Sequence, residues 1–300
     1  MPQVWVAGEG LIDLIPVGSD RMPVVGGGPA NTAMAVAKLG IATQFIDGIS
    51  TDDFGQIVKN ELLSANLKLD YVKYSNKPTC LAIVSLSESG SATYKFAIKN
   101  TATFDFAYDW LPNPQTDRPS LLHVGTLATA IEPGASELFE WAQFVAKVAP
   151  IVFDPNIRPA VVSERAQYVA QVERWVVISS AVKVSDEDLK WLYPSLKIEQ
   201  VVDDWLEKGP LLIVVTYGDK GLTGYRKNEK VSVDAVKVKV ADTVGAGDTV
   251  GAILVEAIVK GGLDSLTGPR LETMLKRAAK AAAISVSRVG ANPPTSEELE

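Results

Sequence analysis

The residues with the most chemical content form one seven-residue string, Asp242-Thr243-Val244-Gly245-Ala246-Gly247-Asp248, which runs into the apolar stretch Val250–Val259. Its small residues leave backbone N–H groups open, and a helix starting there adds the positive end of its dipole. Such a nest suits an anion, above all the negative charge that builds up during phosphoryl transfer. Asp248, at the helix start, can orient a hydroxyl and accept its proton as the oxygen attacks phosphorus. A lone Asp there would be read as an N-cap. The whole string is too specific for that plainer role.

Three further segments carry groups that could serve the same chemistry. Gly26-Gly27-Gly28-Pro29-Ala30-Asn31-Thr32-Ala33 reads as a close-approach loop entering a helix, with Pro29 in the first turn, Gly40 past the end, and Asn31 projecting forward. Phe153-Asp154-Pro155-Asn156-Ile157-Arg158-Pro159 ends an apolar strand. Its two prolines stiffen a loop carrying Asn156 and Arg158, whose planar guanidinium matches a transferring phosphoryl group. Asp13 follows the first strand, at the end where parallel sheets bind ligands. The nearby Gly8-Glu9-Gly10 only imitates a dinucleotide fingerprint: Asp13 stands in place of the third glycine, and Pro16 and Gly18 spoil the required helix.

The rest of the composition narrows the field. A single cysteine, Cys80, allows no disulfide, and a single histidine, His123, excludes a zinc centre built on several histidines. There is no G-x-S-x-G elbow and no G-x-x-x-x-G-K-[ST] loop. His123, on an apolar strand, reads as a hydrogen-bonded core or crevice residue, and Cys80 as packing. A formal net charge of −7 over 300 residues disfavours nucleic acid as a partner. The opening Met1-Pro2-Gln3-Val4-Trp5-Val6 lacks the basic and apolar regions of a signal peptide. No apolar run approaches the ~18 residues of a membrane span. A cytoplasmic protein without membrane contact is the expectation.

The elements that must position these groups alternate along the chain. Val4–Ala7, Leu121–Val124, Ile151–Phe153, Ala181–Val184 and Leu212–Val215 read as buried strands, and Ala135–Val148, Ser163–Trp175 and Leu271–Ser287 as helices. Wholly apolar strands between helices predict a parallel sheet covered on both faces. Elsewhere the period is two: Tyr94, Phe96 and Ile98 alternate with Thr93, Lys95, Ala97 and Lys99, while Asp70–Tyr74 and Cys80–Leu86 are similar. Together with the proline-containing 11–25 stretch, the 70–110 region is expected to form a small β-sheet lid inserted into one α/β body spanning 1–300. The loop 112–119 marks the return to that body. The lysines of Val236-Lys237-Val238-Lys239-Val240 read as protection of an exposed sheet edge.

Taken together, these residues resemble the ribokinase-like (PfkB-type) carbohydrate kinases over nearly the whole chain. The resemblance rests on Gly26–Asn31, Asp154–Arg158, Val215-Thr216-Tyr217-Gly218-Asp219-Lys220-Gly221, Asp242–Asp248 and Arg288-Val289-Gly290-Ala291-Asn292-Pro293-Pro294. Within that family the chain looks most like the bacterial fructokinases, through Asp154–Pro159, His123-Val124-Gly125-Thr126-Leu127 and Lys183-Val184-Ser185-Asp186-Glu187-Asp188-Leu189. The resemblance implies a three-layer αβα sandwich with a mostly parallel central sheet and a β-sheet lid over the sugar. It implies Asp248 as catalytic base and Gly245, Ala246 and Gly247 as anion hole. Sugar contacts are implied at Asp13, Gly27, Gly28, Asn31, Lys99 and Asn156, with Arg158 near sugar and phosphate. Ser185, Thr216, Gly218, Gly221 and Gly290 fall on the ATP side. Magnesium is held in this family mainly through phosphates and water. A monovalent cation, potassium, is implied near Asp242 and Thr243, and a homodimer through the lid sheet.

The chain departs from the family pattern in places. Ser185-Asp186-Glu187-Asp188 replaces the common Asn-x-x-Glu, so either Glu187 or Asp188 supplies the carboxylate of the metal shell. Ser50 stands where glycine is usual, and Val250 and Ile253 reshape packing behind Asp248 without removing a chemical group. The expected activity is ATP-dependent phosphorylation of a primary hydroxyl, first of all that of D-fructose to fructose 6-phosphate. 2-Keto-3-deoxygluconate, ribose and aminoimidazole riboside are the rival acceptors, with lid side chains such as Phe96, Lys99 and Thr101 deciding among them. A catalytically silent sugar- or nucleotide-binding protein is the alternative from another class; it would be expected to have lost Asp248 or the glycines before it.

Overall fold

The computed structural model describes residues 3–86 and 92–300. Seven parallel strands form the centre of the molecule: β1 (Gln3–Ala7), β4 (Ala42–Ser50), β5 (Lys68–Ser75), β8 (Leu121–Gly125), β9 (Ile151–Asp154), β10 (Ala181–Ser185) and β11 (Leu212–Thr216). An antiparallel hairpin, β12 (Leu222–Arg226) and β13 (Glu229–Val233), extends one edge, giving the order β13-β12-β11-β10-β9-β8-β1-β4-β5. Alternate strand residues face opposite helix layers. Val4, Val6, Leu121, Val152 and Val214 pack under α1 (Gly28–Lys38), α2 (Asp53–Ser64), α7 (Ala246–Gly261) and α8 (Gly268–Val286). Trp5, Leu122, Phe153, Val182 and Ile213 pack under α3 (Gly134–Val145), α4 (Arg165–Ile178), α5 (Asp186–Leu192) and α6 (Ile198–Lys208). Trp5 stacks on Trp141 with ring centroids 5.8 Å apart, locking the second layer to the sheet centre. This is the three-layer αβα sandwich expected from the apolar strands.

A separate four-stranded sheet, ordered β3-β2-β6-β7, is built from β2 (Leu11–Val17), β3 (Asp20–Gly26), β6 (Leu81–Leu86) and β7 (Ala92–Ala97). Leu11, Cys80 and Ala82 meet Phe104 and Leu127 of the body in a small apolar cluster, with Phe96 and Ile98 packed against it. Phe96 of β7 and Ile98 just beyond it therefore rest on the molecule itself. The side chain of Tyr94 lies outside the described residues.

Two expectations are corrected. Asp70–Tyr74 is not lid: Lys68–Ser75 pairs in parallel with β4 and forms the edge of the main sheet. Its half-exposed alternation arises because an edge strand is covered incompletely, a pattern that period alone does not distinguish from a lid strand. The segment 236–240 is not an edge strand either. It runs beyond β13 without pairing, and Val236, Val238 and Val240 are themselves exposed.

Candidate active site

Strands of a parallel sheet all end on the same side, and there the loops after β1, β8 and β9, with Lys183 of β10, converge with the N-termini of α1 and α7. They enclose a cavity of about 670 Å³ beneath the small sheet. Asp13, Gly27, Gly28, Asn31, Asn156, Arg158, Thr243, Gly245, Gly247 and Asp248, all singled out in the sequence, line it.

The close approach at α1 is built from glycine. Gly27 has φ 104°, and a Cβ there would lie 2.3 Å from the Glu9 carbonyl oxygen. A Cβ on Gly28 would meet Thr126 at 2.7 Å and lie 3.3 Å from Asp248 Oδ1. Pro29 occupies the first turn, as its missing N–H allows, and Gly40 follows the C-cap with φ 79°. The helix thus delivers the Asn31 amide, whose Nδ2 donates to Asp248 Oδ2 at 2.9 Å.

At α7, Gly245 is the N-cap in the left-handed region, φ 76°, and packs against Ala291 so closely that a Cβ would stand 2.8 Å from that residue's own. Asp248 is therefore the third helical residue and not the cap. The Ala246 N–H makes a 3.4 Å bond back to the Thr243 carbonyl, and the next N–H groups, of Gly247 and Asp248, belong to the first turn, which has no intrahelical acceptors. Asp242 braces the loop: Oδ1 accepts the Val244 N–H at 3.0 Å and Oδ2 the Gly290 N–H at 2.9 Å. Gly290 is in this way tied to the loop that leads into α7.

Asn156 adopts φ 35°, held by Arg158, whose guanidinium donates to the Asn156 carbonyl at 2.8 Å and to Oδ1 at 2.6 Å. Arg158 faces three acids of the cavity, since its charge is felt at Glu9, Asp13 and Asp248.

Burial sets the acid–base character. It raises the pKa of Asp248, against the opposing pull of Lys183, the Asn31 amide and Arg158. Burial also pushes Asp13 up to about 6, with Arg158 opposing. A carboxylate whose pKa is raised holds a proton more strongly than an ordinary one.

The residues that sequence reasoning missed are Lys183, as a member of the site, and Glu9. Lys183 is buried in the middle of β10, pairs with Asp154 at 2.9 Å, and lines the cavity beside Gly247. A charge inside the apolar run Ala181–Val184 was the available signal. Glu9, read only as part of a false fingerprint, is buried and caps the short turn after β8, accepting the N–H groups of Leu127 at 3.3 Å and Ala128 at 3.0 Å and the Thr126 hydroxyl.

Other expected residues fall elsewhere. Lys99 does not line this cavity; it borders a neighbouring groove with Lys95 and Thr101, and Phe96 walls both. Ser185 and Asp188 form a reciprocal capping box on α5, at 3.0 and 3.3 Å, which is what the change from Asn-x-x-Glu builds locally. Glu187 is exposed. Thr216 ends β11, and Gly218 and Gly221 take φ 59° and 101° in the turn that follows. His123 is buried, and neither ring nitrogen has a hydrogen-bond partner among the described residues, contrary to the expected bonded histidine. Burial lowers its pKa to about 3, so it stays neutral. No helix is long and apolar enough to cross a membrane, and no group of three or more metal-ligating side chains occurs among the described residues.

Comparison with known proteins agrees with this geometry. The model of the pfkB family carbohydrate kinases matches residues 12–298. A fructokinase from Rhizobium leguminosarum bv. trifolii is 35% identical over 83% of this chain and 77% of its own length. One from Vibrio alginolyticus is 30% identical over 100% of this chain and 98% of its own. The crystal structure of fructokinase from Vibrio cholerae O395 in a fructose-, ADP- and calcium-bound form has a TM-score of 0.88 at 29% identity, covering 100% of this chain and 98% of that one. That of a Xylella fastidiosa fructokinase with bound ATP has a TM-score of 0.92, covering 99% and 96%; at 24% identity it speaks for the fold alone. The chain belongs to the pfkB family of carbohydrate kinases and is, on that ground, an ATP-dependent sugar kinase.

Proposed function

We propose that the enzyme transfers the terminal phosphoryl group of ATP to the primary 6-hydroxyl of D-fructose. The observation that carries this reading is the placement of Asp248, held by Asn31 on one oxygen and set beside the first-turn N–H groups of α7, in a cavity that also contains Asp13 and Arg158. The fructokinases of Rhizobium and Vibrio among its relatives favour fructose as acceptor.

In this mechanism Asp13, Asn31, Gly27, Gly28 and Asn156 hold the sugar and bring its hydroxyl to Asp248. Asp248 takes the hydroxyl proton as the sugar oxygen bonds to phosphorus and the bond to the leaving ADP oxygen breaks. The first-turn N–H groups of Gly247 and Asp248 meet the charge that develops on the transferring group, and Lys183 and Arg158 add fixed positive charge beside it. The small sheet above the cavity excludes water, which would otherwise compete as acceptor. Thr216, Gly218, Gly221, Ser185 and Gly290 form the nucleotide side.

Magnesium fits this donor set as an ion carried on the triphosphate, because no protein cage is present among the described residues. Asp154, whose Oδ1 has no hydrogen-bond partner there, and Asp188, whose charge it feels, would meet the ion's water shell. The ion would neutralise phosphate charge. Potassium beside Asp242 and Thr243, a cytoplasmic location, and a dimer through the small sheet complete the proposal; Val17 and Met22 are exposed on that sheet.

An ADP-release assay against fructose, ribose, 2-keto-3-deoxygluconate and aminoimidazole riboside tests the acceptor. Fructose should give the highest kcat/KM. Turnover of another member with none on fructose would overturn the assignment.

A further inference from the structure

The crossing from the body into the small sheet is gripped by two buried side chains that the mechanism does not use. After β1 the chain passes through Gly8-Glu9-Gly10 into β2, and β2 carries Asp13 three residues later. Asp47, on β4, is fully buried; its Oδ2 accepts the Gly10 N–H at 2.7 Å and its Oδ1 the Gly48 N–H at 2.8 Å. The Thr103 hydroxyl, also buried, donates from the other side to the Gly10 carbonyl at 3.2 Å, with the Gly48 carbonyl at 3.4 Å. Both backbone polar groups of Gly10 are therefore held by side chains of the body and of the segment returning from the small sheet.

The surroundings leave this grip little play. The Ala102 carbonyl lies against Gly48, where a Cβ would come within 1.9 Å of it, so the returning segment is seated directly on β4. A Cβ on Gly10 would stand 3.2 Å from Val58. The charged neighbour that Asp47 feels is another carboxylate, Glu9, and not a cation. A buried carboxylate without a cation is costly, and a neutral polar side chain would satisfy one N–H more cheaply. Two acceptor oxygens placed on two backbone N–H groups are what a carboxylate adds here.

We infer that Asp47 and Thr103 are positioning residues for sugar binding: by clamping Gly10 between them they set where β2 leaves the body and so where Asp13 meets the acceptor. The inference rests on the proposed role of Asp13 as a sugar contact. Because the clamp touches no residue of the nucleotide side, its loss acts on the acceptor.

The test is steady-state kinetics on Thr103→Val, Thr103→Ser, Asp47→Asn and wild type, using the acceptor that the wild-type panel selects. Failure of wild type to use fructose would correct the acceptor and leave the clamp to be judged by the variants. Thr103→Val keeps the side-chain shape and should raise the acceptor KM by about tenfold, the scale of one lost hydrogen bond. The KM for ATP should stay within about twofold, and Thr103→Ser should restore the wild-type value. Asp47→Asn should raise the acceptor KM in the same selective way. A lowered kcat with both KM values unchanged, equal rises in both KM values, unchanged constants, or no rescue by serine would each overturn the inference.

Discussion

The Asn31 amide donates to Asp248 Oδ2 across 2.9 Å although 217 positions separate the two residues. One carboxylate oxygen is thereby occupied, while Oδ1 points to the glycine face of α1, at 3.3 Å from where a Gly28 Cβ would lie. A carboxylate held by one oxygen presents the other in a defined direction, which general-base catalysis requires. Asp248→Asn keeps the size and a partner for Asn31 but cannot take the hydroxyl proton. We expect kcat to fall by roughly 10²–10⁴ while calorimetric sugar binding stays within a few-fold. Near-wild-type kcat would remove Asp248 from the mechanism.

Gly247 is glycine because of its neighbour. A Cβ there would lie 2.7 Å from Lys183 Nζ, and that ammonium cannot retreat freely, being bonded to Asp154 at 2.9 Å. Gly247→Ala should displace the ammonium and lower kcat by at least about tenfold, with acceptor KM little changed, as for charge stabilisation lost only in the transition state. Gly262→Ala at the far end of the same helix is the contrast. Its φ is 79° and nothing lies within 4 Å of the added carbon, so it should cost about 1 kcal/mol of stability and leave kcat alone. Equal kinetics for the two variants would contradict this reading.

The Lys183–Asp154 pair is buried at both ends, with side chains 5% and 2% exposed. Removing the lysine alone strands a carboxylate whose pKa burial already lifts to about 6 against the pull of that same lysine. Lys183→Met should therefore lose about 3–5 kcal/mol in urea unfolding, and Lys183→Met with Asp154→Leu should recover part of it. A double variant as unstable as the single one would show that packing, not the stranded charge, carries the loss.

Much of this arrangement was legible in the order of residues, for identifiable reasons. Apolar strands such as Leu212–Val215 mark parallel strands because both faces are buried, and the Asp242–Asp248 string marks a helix start open to close approach because its residues before the acid are small. What stayed hidden depends on contacts between distant segments. Lys183 lies within an apolar strand, and only its contacts with Asp154 and Gly247, from distant segments, make it part of the site. Lys68–Ser75 alternated like a lid strand because incomplete cover at a sheet edge produces the same period. Lys99 was assigned to the sugar by family likeness, and the path of the chain after β7 carries it into the neighbouring groove instead.

Activity and stability should respond to acid in opposite senses. Asp13 has its pKa raised by burial to about 6, so its carboxylate is lost as pH falls through that value, and with it a sugar acceptor. The acceptor kcat/KM should accordingly decline below about pH 6, joined by a kcat limb from Asp248, also raised by burial. For stability the sign reverses. Glu9 is lifted from 4.5 to about 6 by burial, so between those values the folded chain binds protons that the unfolded chain has released. A raised carboxylate pKa gives a contribution present at low pH and lost as pH rises through the folded value. Glu9 alone should remove about 2 kcal/mol across that window. Glu9→Gln, whose one amide oxygen can replace only one of the two carboxylate oxygens that accept from Leu127 and Ala128, no longer titrates and should flatten that part of the profile measured by urea unfolding at pH 4.5 to 7. An unchanged slope in the variant would mean that Glu9 does not carry the dependence, and an acceptor kcat/KM flat through pH 6 would separate Asp13 from sugar binding.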